Sequence, residues 1–370
     1  MRLGQITIGF GRSAAVSMVL LTCMVFSACS KDNDGNNDDY EKIQPKGPKP
    51  SWGPTITKQM QAVIETLDTI APRPLHQLTP QQARLQPSAA DAAMRVMRNF
   101  AIPMPPMNVD TVGRDIPVTG GTIHLRIYTP RTGKASYPMI VYYHGGGWVI
   151  ATIDTYNASS QALAEKADAV LVSVEYRKGP EYKFPTAHND AFAAYKWTLR
   201  NASTIKGDST KIAVAGESAG GNLAITVGMM ARDSGVRKPV HAVAVYPVAS
   251  GDPATPSKLQ YTMAKPLSTP DLPWFLMHYL NNPAEAANPL ISLVNANLNG
   301  LPKTTIIAAE IDPLLSEGKM LDDKLRAAGV QTTYRLFTGV THEFFGMASV
   351  LPEARDAQNL AADELKKAWR

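Results

Sequence analysis

The chain has 370 residues, of which 44% are hydrophobic and 19% charged, and its formal net charge is +5. The positive excess is mild and spread without a basic block, so composition gives no case for a nucleic-acid partner. The length allows one large α/β domain with a small accessory region.

The first 28 residues have the layout of a secretory signal peptide. Arg2 and Arg12 carry the only charges before an apolar stretch over residues 14–28. This stretch is too short to cross a bilayer as a helix, and a basic start followed by an apolar run is typical of a cleaved leader. We therefore expect a signal peptide over residues 1–28.

The leader ends in Phe26-Ser27-Ala28-Cys29. This sequence resembles the lipobox of bacterial lipoproteins, which implies that Cys29 is lipidated and becomes the new N-terminus. Cys23 is a weaker candidate, and ordinary secretory cleavage after Ala28 is the alternative. Lipoprotein processing and ordinary secretory cleavage both cut after Ala28 and leave Cys29 as the one cysteine. This excludes an intramolecular disulfide, a thiol nucleophile and a cysteine metal site.

The residues that follow the leader are polar and rich in Asn, Asp and Gly, and then in Pro and Lys. Such sequence buries too little apolar surface to fold, so we expect residues 29–51 to be a lipidated flexible tether. Lys31 favours sorting to an outer membrane in a Gram-negative host. The expected location is the cell envelope, at the outer membrane or facing the periplasm; a secreted or periplasmic protein is the alternative.

Apolar runs alternate with helical patterns through most of the remaining chain. An early strand with one solvent-facing side is predicted at residues 122–128. Further strands are predicted at 138–143, 169–176, 211–215, 240–248, 304–309 and 332–337, with helices at 191–199 and 314–328. This alternation predicts an α/β fold with a mostly parallel central sheet and helices on both faces. Two regions depart from the pattern: 51–108, punctuated by proline, and 250–288, which is irregular.

The most informative motif is Gly216-Glu217-Ser218-Ala219-Gly220, which follows the predicted strand at 211–215. The G-x-S-x-G pattern is typical of a serine held on a sharp strand-to-helix turn as a nucleophile. Small residues suit the crowded backbone of such a turn. The motif predicts Ser218 as a nucleophile rather than part of a plain loop.

A serine nucleophile needs a base to accept its proton and an acid to orient that base. In α/β-hydrolases these residues follow the serine in the order acid, then histidine. Asp312 comes directly after the predicted strand at 304–309, with Glu310 as its nearest competitor. Among the seven histidines, His342 alone lies beyond Asp312. We therefore expect His342 to be the base and Asp312 its orienting acid.

His144-Gly145-Gly146-Gly147-Trp148 follows another predicted strand. Consecutive glycines leave backbone N–H groups free to point into a cleft, where they can stabilise an oxyanion. An HGGG sequence together with G-x-S-x-G predicts an oxyanion loop rather than a plain glycine loop.

From about residue 52 to its end, the chain resembles the hormone-sensitive-lipase-like esterases of the α/β-hydrolase fold. The motifs that carry this resemblance are HGGGW at 144–148, EYR at 175–177, PE at 180–181, FP at 184–185, His188, GESAGG at 216–221, DPL at 312–314 and His342. The resemblance implies a Ser218, His342 and Asp312 triad. It also implies oxyanion donors from the backbones of Gly146, Gly147 and Ala219, with His144 and Gly145 supporting the loop. No metal or organic cofactor is implied.

The resemblance further implies a cap over the site, formed by residues 52–110 and by an insertion at 250–288. The catalytic domain then comprises residues 111–249 and 289–370. Four positions depart from the usual family pattern: Lys178 and Gly179 in place of Leu-Ala, Glu217 in place of aspartate, and Glu343 in place of glycine after the base. Lys178 and Glu343 bear on activity level and substrate range.

The expected function is hydrolysis of small carboxylic esters, of short to medium acyl chain, through an acyl-enzyme. The alternatives are an amidase or a deacetylase for sugar or xenobiotic esters, a non-catalytic small-molecule receptor, and an anchored partner of an assembly. Six methionines in the presumed cap are equally compatible with lining an apolar pocket and with ordinary packing: Met94, Met97, Met104, Met107, Met263 and Met277. The sequence does not indicate an oligomeric state.

Overall fold

The computed structural model describes residues 37–370. The strands in this range are β1 Val109–Val118, β2 Gly121–Pro130, β3 Tyr137–Tyr143, β4 Val170–Glu175, β5 Gly207–Glu217, β6 His241–Val245, β7 Lys303–Ile311 and β8 Thr332–Thr341. The α-helices are α1 Asn37–Lys42, α2 Lys58–Ile70, α3 Pro80–Leu85, α4 Ala89–Asn99, α5 Asn157–Ala167, α6 Thr186–Arg200, α7 Ala219–Asp233, α8 Pro256–Gln260, α9 Asp271–Tyr279, α10 Leu315–Ala327 and α11 Pro352–Ala368.

The strands form one sheet in the order β1-β2-β4-β3-β5-β6-β7-β8. Strand β2 is antiparallel to both of its neighbours. The six strands β4, β3, β5, β6, β7 and β8 are parallel to one another. The chain runs outward from β3 to β4 and then returns to β5 on the other side of β3. Ligands of open α/β sheets bind at the carboxyl ends of the strands where the order reverses in this way. The segments that follow β3 and β5 are therefore the expected place for a site.

The central strands are buried because helices cover both faces of the sheet. All five residues of β6 are buried, as are the last five of β3. One hydrophobic cluster joins the sheet to α6, α7 and α10, and a second joins its other face to α2, α4, α5 and α11. Strands buried on both faces are read in sequence as continuous apolar runs, which explains why they could be predicted. The predicted α/β fold with its mostly parallel sheet is confirmed.

Strand β1 is absent from the sequence predictions. It lies at the edge of the sheet and pairs only with β2, and six consecutive residues, 110–115, are exposed. An edge strand without a buried face has no apolar alternation, so hydrophobic periodicity cannot reveal it.

The prediction of a flexible tether as far as residue 51 is wrong for residues 37–51. Helix α1 lies in this segment, and Tyr40 and Ile43 are buried, with Ile43 fully inaccessible. The Tyr40 hydroxyl donates to the carbonyl of Ala348 at 2.6 Å, and Gln59 donates to the Tyr40 carbonyl at 3.1 Å. Two buried side chains and these hydrogen bonds hold the segment on the folded domain. The predicted signal peptide, Cys29 and the start of the tether lie outside the described residues.

Within residues 37–370, no helix combines the length and apolar character that crossing a bilayer requires.

Candidate active site

Ser218 occupies a strained backbone conformation between β5 and α7. Its φ of 56° and ψ of −119° lie in a region that side-chain-bearing residues rarely adopt. A Cβ at Gly216 would overlap the Gly220 carbonyl, and one at Gly220 would overlap the carbonyl of Tyr143 in β3. The glycines of the motif are thus required by the close packing of β5, α7 and β3. This turn places the Ser218 hydroxyl at the carboxyl end of the sheet.

His342 and Asp312 converge on Ser218 from the ends of β8 and β7. Nε2 of His342 lies 2.9 Å from Oγ of Ser218, and Nδ1 lies 2.7 Å from Oδ2 of Asp312. Asp312 is fully buried, and its other oxygen accepts the amide of Leu314 at 2.8 Å. With the Nδ1 proton donated to the carboxylate, neutral His342 presents a free lone pair at Nε2 to the serine hydroxyl.

The electrostatic environment favours a protonated His342. Burial by itself lowers the pKa of its imidazole, the charge and hydrogen bond of the Asp312 carboxylate raise it, and the net pKa is raised. The carboxyls of Glu343 and Glu217 act in the same direction. A base with a raised pKa holds the proton that it takes from a hydroxyl more strongly.

The predicted oxyanion loop follows β3 and faces the same turn. Gly146 and Gly147 have φ values of 93° and 57°, and a Cβ at Gly147 would overlap the ring of Phe275. Within residues 37–370, the amides of Gly146, Gly147 and Ala219 donate to no other group. These three N–H groups are therefore available to an oxygen atom beside Ser218.

His144 supports the loop from beneath. Its ring stacks on Tyr176 with a centroid separation of 4.2 Å, and the Tyr176 hydroxyl donates to the His144 carbonyl at 2.8 Å. Nδ1 of His144 lies 2.8 Å from the carbonyl of Gly145. Burial lowers the pKa of His144 to about 4, so the ring is neutral at pH 7. A neutral, stacked ring holds the loop without adding charge to the site.

A group of buried acids and tyrosines beside His342 was not foreseen from the sequence. Glu217 accepts hydrogen bonds from the hydroxyls of Tyr142 and Tyr246, and the Tyr246 ring lies 4.4 Å from the imidazole of His342. Burial, together with the charge of Glu343, raises the pKa of Glu217 to about 7. The sequence gives no signal for this group beyond the position of Glu217 next to the serine.

Two further departures from the family pattern lie in different surroundings. Lys178 pairs with Glu175, whose carboxylate also accepts the amide of Ile153 at 2.8 Å. Glu343 is half-buried beside His342 and accepts a hydrogen bond from Tyr156. Of the two, only Glu343 is among the described residues that line the cavity over Ser218.

That cavity has a volume of about 990 Å³ and is lined by Ser218, His342 and the oxyanion loop. Most of its remaining lining comes from residues 67–98 and 248–276, within or beside the two segments predicted to form a cap, and Tyr156, Glu317 and Glu343 also line it. Among the six methionines considered above, Met94 and Met263 line it. Such a volume is at the upper end of the range for small-molecule sites.

Among the described residues, three residue pairs join segment 67–98 to segment 248–276 by polar contacts beside the cavity. His76 lies 2.8 Å from the buried Asp271, and Trp274 donates to the carbonyl of Leu78 at 2.9 Å. A salt bridge of 2.6 Å joins Lys265 to an aspartate of α2. The two segments therefore form one continuous wall around the cavity.

No group of His, Cys, Asp or Glu side chains within residues 37–370 has the arrangement of a metal site.

A nucleophile-type serine after β5, a histidine after β8 and a carboxylate after β7 define the site of an α/β-hydrolase. The family model described as alpha/beta hydrolase fold matches residues 140–346. The chain therefore belongs to this family and, among its enzymes, to the carboxylesterases of the hormone-sensitive-lipase-like type.

Individual relatives agree with this assignment. Carboxylesterase NlhH of Mycobacterium tuberculosis is 34% identical over 286 residues, which are 75% of this chain and 88% of the relative. The ethyl acetate hydrolase of Pseudomonas putida is 29% identical over 322 residues, which are 86% of this chain and 99% of the relative. The crystal structure of a thermostable esterase from Pseudomonas putida ECU1011 superposes with a TM-score of 0.79 at 29% identity, covering 88% of this chain and 99% of that one.

Proposed function

We propose that the protein hydrolyses small carboxylic esters by two-step acyl transfer, with Ser218 as nucleophile, His342 as general base and acid, and Asp312 as the acid that orients His342. The single observation that carries this proposal is the continuous hydrogen-bonded series from Oγ of Ser218 through the His342 ring to Asp312, at 2.9 and 2.7 Å. Both distances lie within hydrogen-bond reach, as proton transfer requires.

In the first step, Nε2 of His342 accepts the Ser218 proton while Oγ attacks the ester carbonyl carbon. The carbonyl oxygen becomes an oxyanion, and the bond to the alkoxy group then breaks as His342 returns the proton to the leaving alcohol. Water attacks the acyl-enzyme in the same way, with His342 as base, and releases the acid and free Ser218. Asp312 stabilises the imidazolium in both steps and remains ionised.

The oxyanion is stabilised by the amides of Gly146, Gly147 and Ala219. Their N–H groups bind nothing else within residues 37–370, so they need no rearrangement when charge develops on the carbonyl oxygen. Ala219 is also the first residue of α7, so the partial positive charge of the helix N-terminus acts on the same oxygen. Loss of one such donor lowers kcat by about 10²–10³-fold in other hydrolases.

The proposed substrates have short to medium acyl chains. The cavity is closed on one side by residues 67–98 and 248–276, which we propose act as the cap, and Phe275 packs directly against Gly147. A bulky ring so close to the oxyanion loop favours small groups near the ester carbonyl. The name of the Pseudomonas putida relative, ethyl acetate hydrolase, is in keeping with such a substrate.

We also propose that the enzyme is anchored at the bacterial envelope through a lipid on Cys29. The support is the sequence of residues 26–29 and the basic and apolar leader before it. The polar residues after Cys29 as far as residue 36 would then link the anchor to the folded domain, whose described part begins with α1. The test is mass spectrometry of the protein extracted from envelopes, in which Cys29→Ala would remove the lipid and release the protein.

The test of the enzymatic proposal is hydrolysis of p-nitrophenyl esters of increasing acyl length by purified protein. Wild type is compared with Ser218→Ala and with Ser203→Ala, which alters an exposed serine in the turn after α6. We expect turnover to be greatest for short chains, to be unaffected in Ser203→Ala, and to be lost in Ser218→Ala. Full turnover in Ser218→Ala would overturn the assignment of the nucleophile. Turnover of anilides or sugar acetates but not of simple esters would instead indicate an amidase or a deacetylase.

A further inference from the structure

Glu343 stands in a conformation that suits glycine. It follows His342 directly, with φ of 71° and ψ of 4°, in the left-handed region where a side chain is strained. Its carboxylate turns to the cavity side of the site, where it is half-buried. A glutamate here carries backbone strain that glycine would not, and its carboxylate makes a contact that glycine cannot make.

The main contact is a hydrogen bond from the hydroxyl of Tyr156, whose oxygen lies 2.6 Å from Oε1 of Glu343. Tyr156 is buried and immediately precedes α5. Its hydroxyl is packed so closely on the backbone of Gly145 that a Cβ there would overlap it. The residue next to the base is therefore linked, through one tyrosine, to the first glycine of the oxyanion loop.

Tyr156 and Tyr176 hold the loop from two directions. Tyr176 donates to the carbonyls of His144 and Gly145 at 2.8 and 3.2 Å. Tyr156 restrains Gly145 by packing, and its own position depends on the acceptor that Glu343 supplies. Loss of that acceptor leaves a buried hydroxyl without its partner, so the ring is expected to move and the loop to gain freedom.

Glu343 also acts on His342 by its charge. Its carboxylate raises the pKa of the imidazole, together with Asp312 and Glu217. Burial raises the pKa of Glu343 itself, and the His342 charge and the Tyr156 hydrogen bond oppose that rise. The titratable groups that face Glu343 from the neighbouring elements are Asp312, His342, Tyr156, Tyr176, Glu217, Tyr142 and Tyr246.

We propose that Glu343 is a positioning residue: it holds Tyr156, and through it the oxyanion loop, at a fixed place relative to His342. The inference rests on the proposed function, because it concerns how the same site is held together. Glu343 itself forms no bond to the substrate in either step. Its contribution is to keep the oxyanion donors and His342 at fixed positions relative to each other.

The experiment compares Glu343→Gly, Glu343→Gln and Tyr156→Phe with wild type in steady-state ester hydrolysis over a range of pH. Tyr128→Phe is the matched control, because it also removes a tyrosine hydroxyl bonded to the start of α5, donated to Asn157 at 2.8 Å, and Tyr128 is not among the described residues that line the cavity. Thermal unfolding of each variant shows whether it is folded at the assay temperature. The rate at which each variant reacts with a fluorophosphonate measures the reactivity of Ser218 separately from ester turnover.

Glu343→Gly and Tyr156→Phe are expected to lower kcat by roughly 10- to 100-fold with little change in KM, since a displaced oxyanion loop weakens transition-state binding alone. Glu343→Gln keeps an acceptor oxygen for Tyr156, so it should recover most of the lost kcat. Because it removes the charge that raises the pKa of His342, its acid limb of kcat/KM should move to lower pH. Tyr128→Phe should match wild type.

Two results would overturn the proposal. One is wild-type kcat in both Glu343→Gly and Tyr156→Phe. The other is an equal loss of kcat in Glu343→Gln and Glu343→Gly, with no shift of the acid limb of kcat/KM in Glu343→Gln. That result would indicate that Glu343 acts only by filling space. Failure of the proposed function would look different, because wild type itself would then be inactive or would fail to react with the fluorophosphonate at Ser218.

Discussion

Replacement of Lys258 by methionine probes a buried ion pair in the wall of the cavity. Nζ of Lys258 lies 2.7 Å from Oε2 of Glu317, and the two side chains are 5% and 0% exposed. Lys258 also donates to the carbonyl of Asp252 at 2.6 Å, and Glu317 accepts the amide of Ala249 at 2.8 Å. The pair joins α8 to α10.

Lys258→Met leaves the Glu317 carboxylate buried and without its cation. Breaking a fully buried pair in this way costs about 3–5 kcal/mol of folding free energy. Burial already raises the pKa of Glu317 with Lys258 in place, and loss of the cation raises it further. The folded variant therefore binds a proton more readily than the unfolded chain, so its stability deficit is greatest at high pH. On acidification the deficit should shrink, by at most about 1.4 kcal/mol per pH unit.

The assay is equilibrium urea unfolding at pH 8 and pH 5.5, followed by tryptophan fluorescence. The double variant Lys258→Met/Glu317→Gln lacks the buried charge. Its loss of unfolding free energy should therefore be smaller, by about 2 kcal/mol, than the losses in Lys258→Met and Glu317→Gln added together. Lys319→Met, in an exposed pair with Asp323, is the control and should change stability little. A deficit below about 1 kcal/mol in Lys258→Met, or full additivity, would refute the reasoning.

Three further predictions concern the loop, the N-terminal segment and the triad. Gly147→Ala would place a Cβ 2.2 Å from Cδ1 of Phe275 at a φ of 57°, so we expect kcat to fall by about 100-fold or more; a kcat near wild type would contradict this. Ile43→Ala should lower the free energy of unfolding by about 2–4 kcal/mol, measured in urea, with activity retained; an unchanged urea midpoint would instead support a flexible tether over this segment. Asp312→Asn should lower kcat by roughly 10³–10⁴-fold and move the acid limb of kcat/KM to lower pH, because this carboxylate raises the pKa of His342; an unmoved limb in a pH–rate profile would count against that role.

The fold could be predicted because its central strands are buried on both faces. Such strands are continuous apolar runs, and the helices between them have their own period. The three triad residues could be proposed because each lies just after one of these runs and their chain order is that of the α/β-hydrolases. Their mutual distances of 2.9 and 2.7 Å could not be known before the fold brought the carboxyl ends of β5, β7 and β8 to one edge of the sheet.

The group around Glu343 shows where sequence reasoning stops. Tyr156 and Glu343 are 187 positions apart, and nothing in the sequence around either residue points to the other. Their contact depends on how α5 is seated against the end of β8, which is a property of the packed molecule. The sequence likewise gives no sign that Tyr246 lies against His342.

In the N-terminal segment, composition predicts disorder where the structure has buried residues. Asn, Asp, Lys and Pro dominate residues 29–51, and such a composition is typical of a disordered linker. Tyr40 and Ile43 are buried nonetheless, because the surface formed by α2 and the segment near Ala348 receives them. Average composition does not reveal two well-placed anchors.

The central claim is that Ser218 is activated by His342 and forms the covalent intermediate. It is tested most directly by treating the purified protein with a fluorophosphonate and locating the adduct by mass spectrometry of its peptides. The account predicts one adduct per chain, on Ser218, with its rate of formation greatly reduced in His342→Ala. An adduct on another residue, or an unchanged rate in His342→Ala, would contradict it.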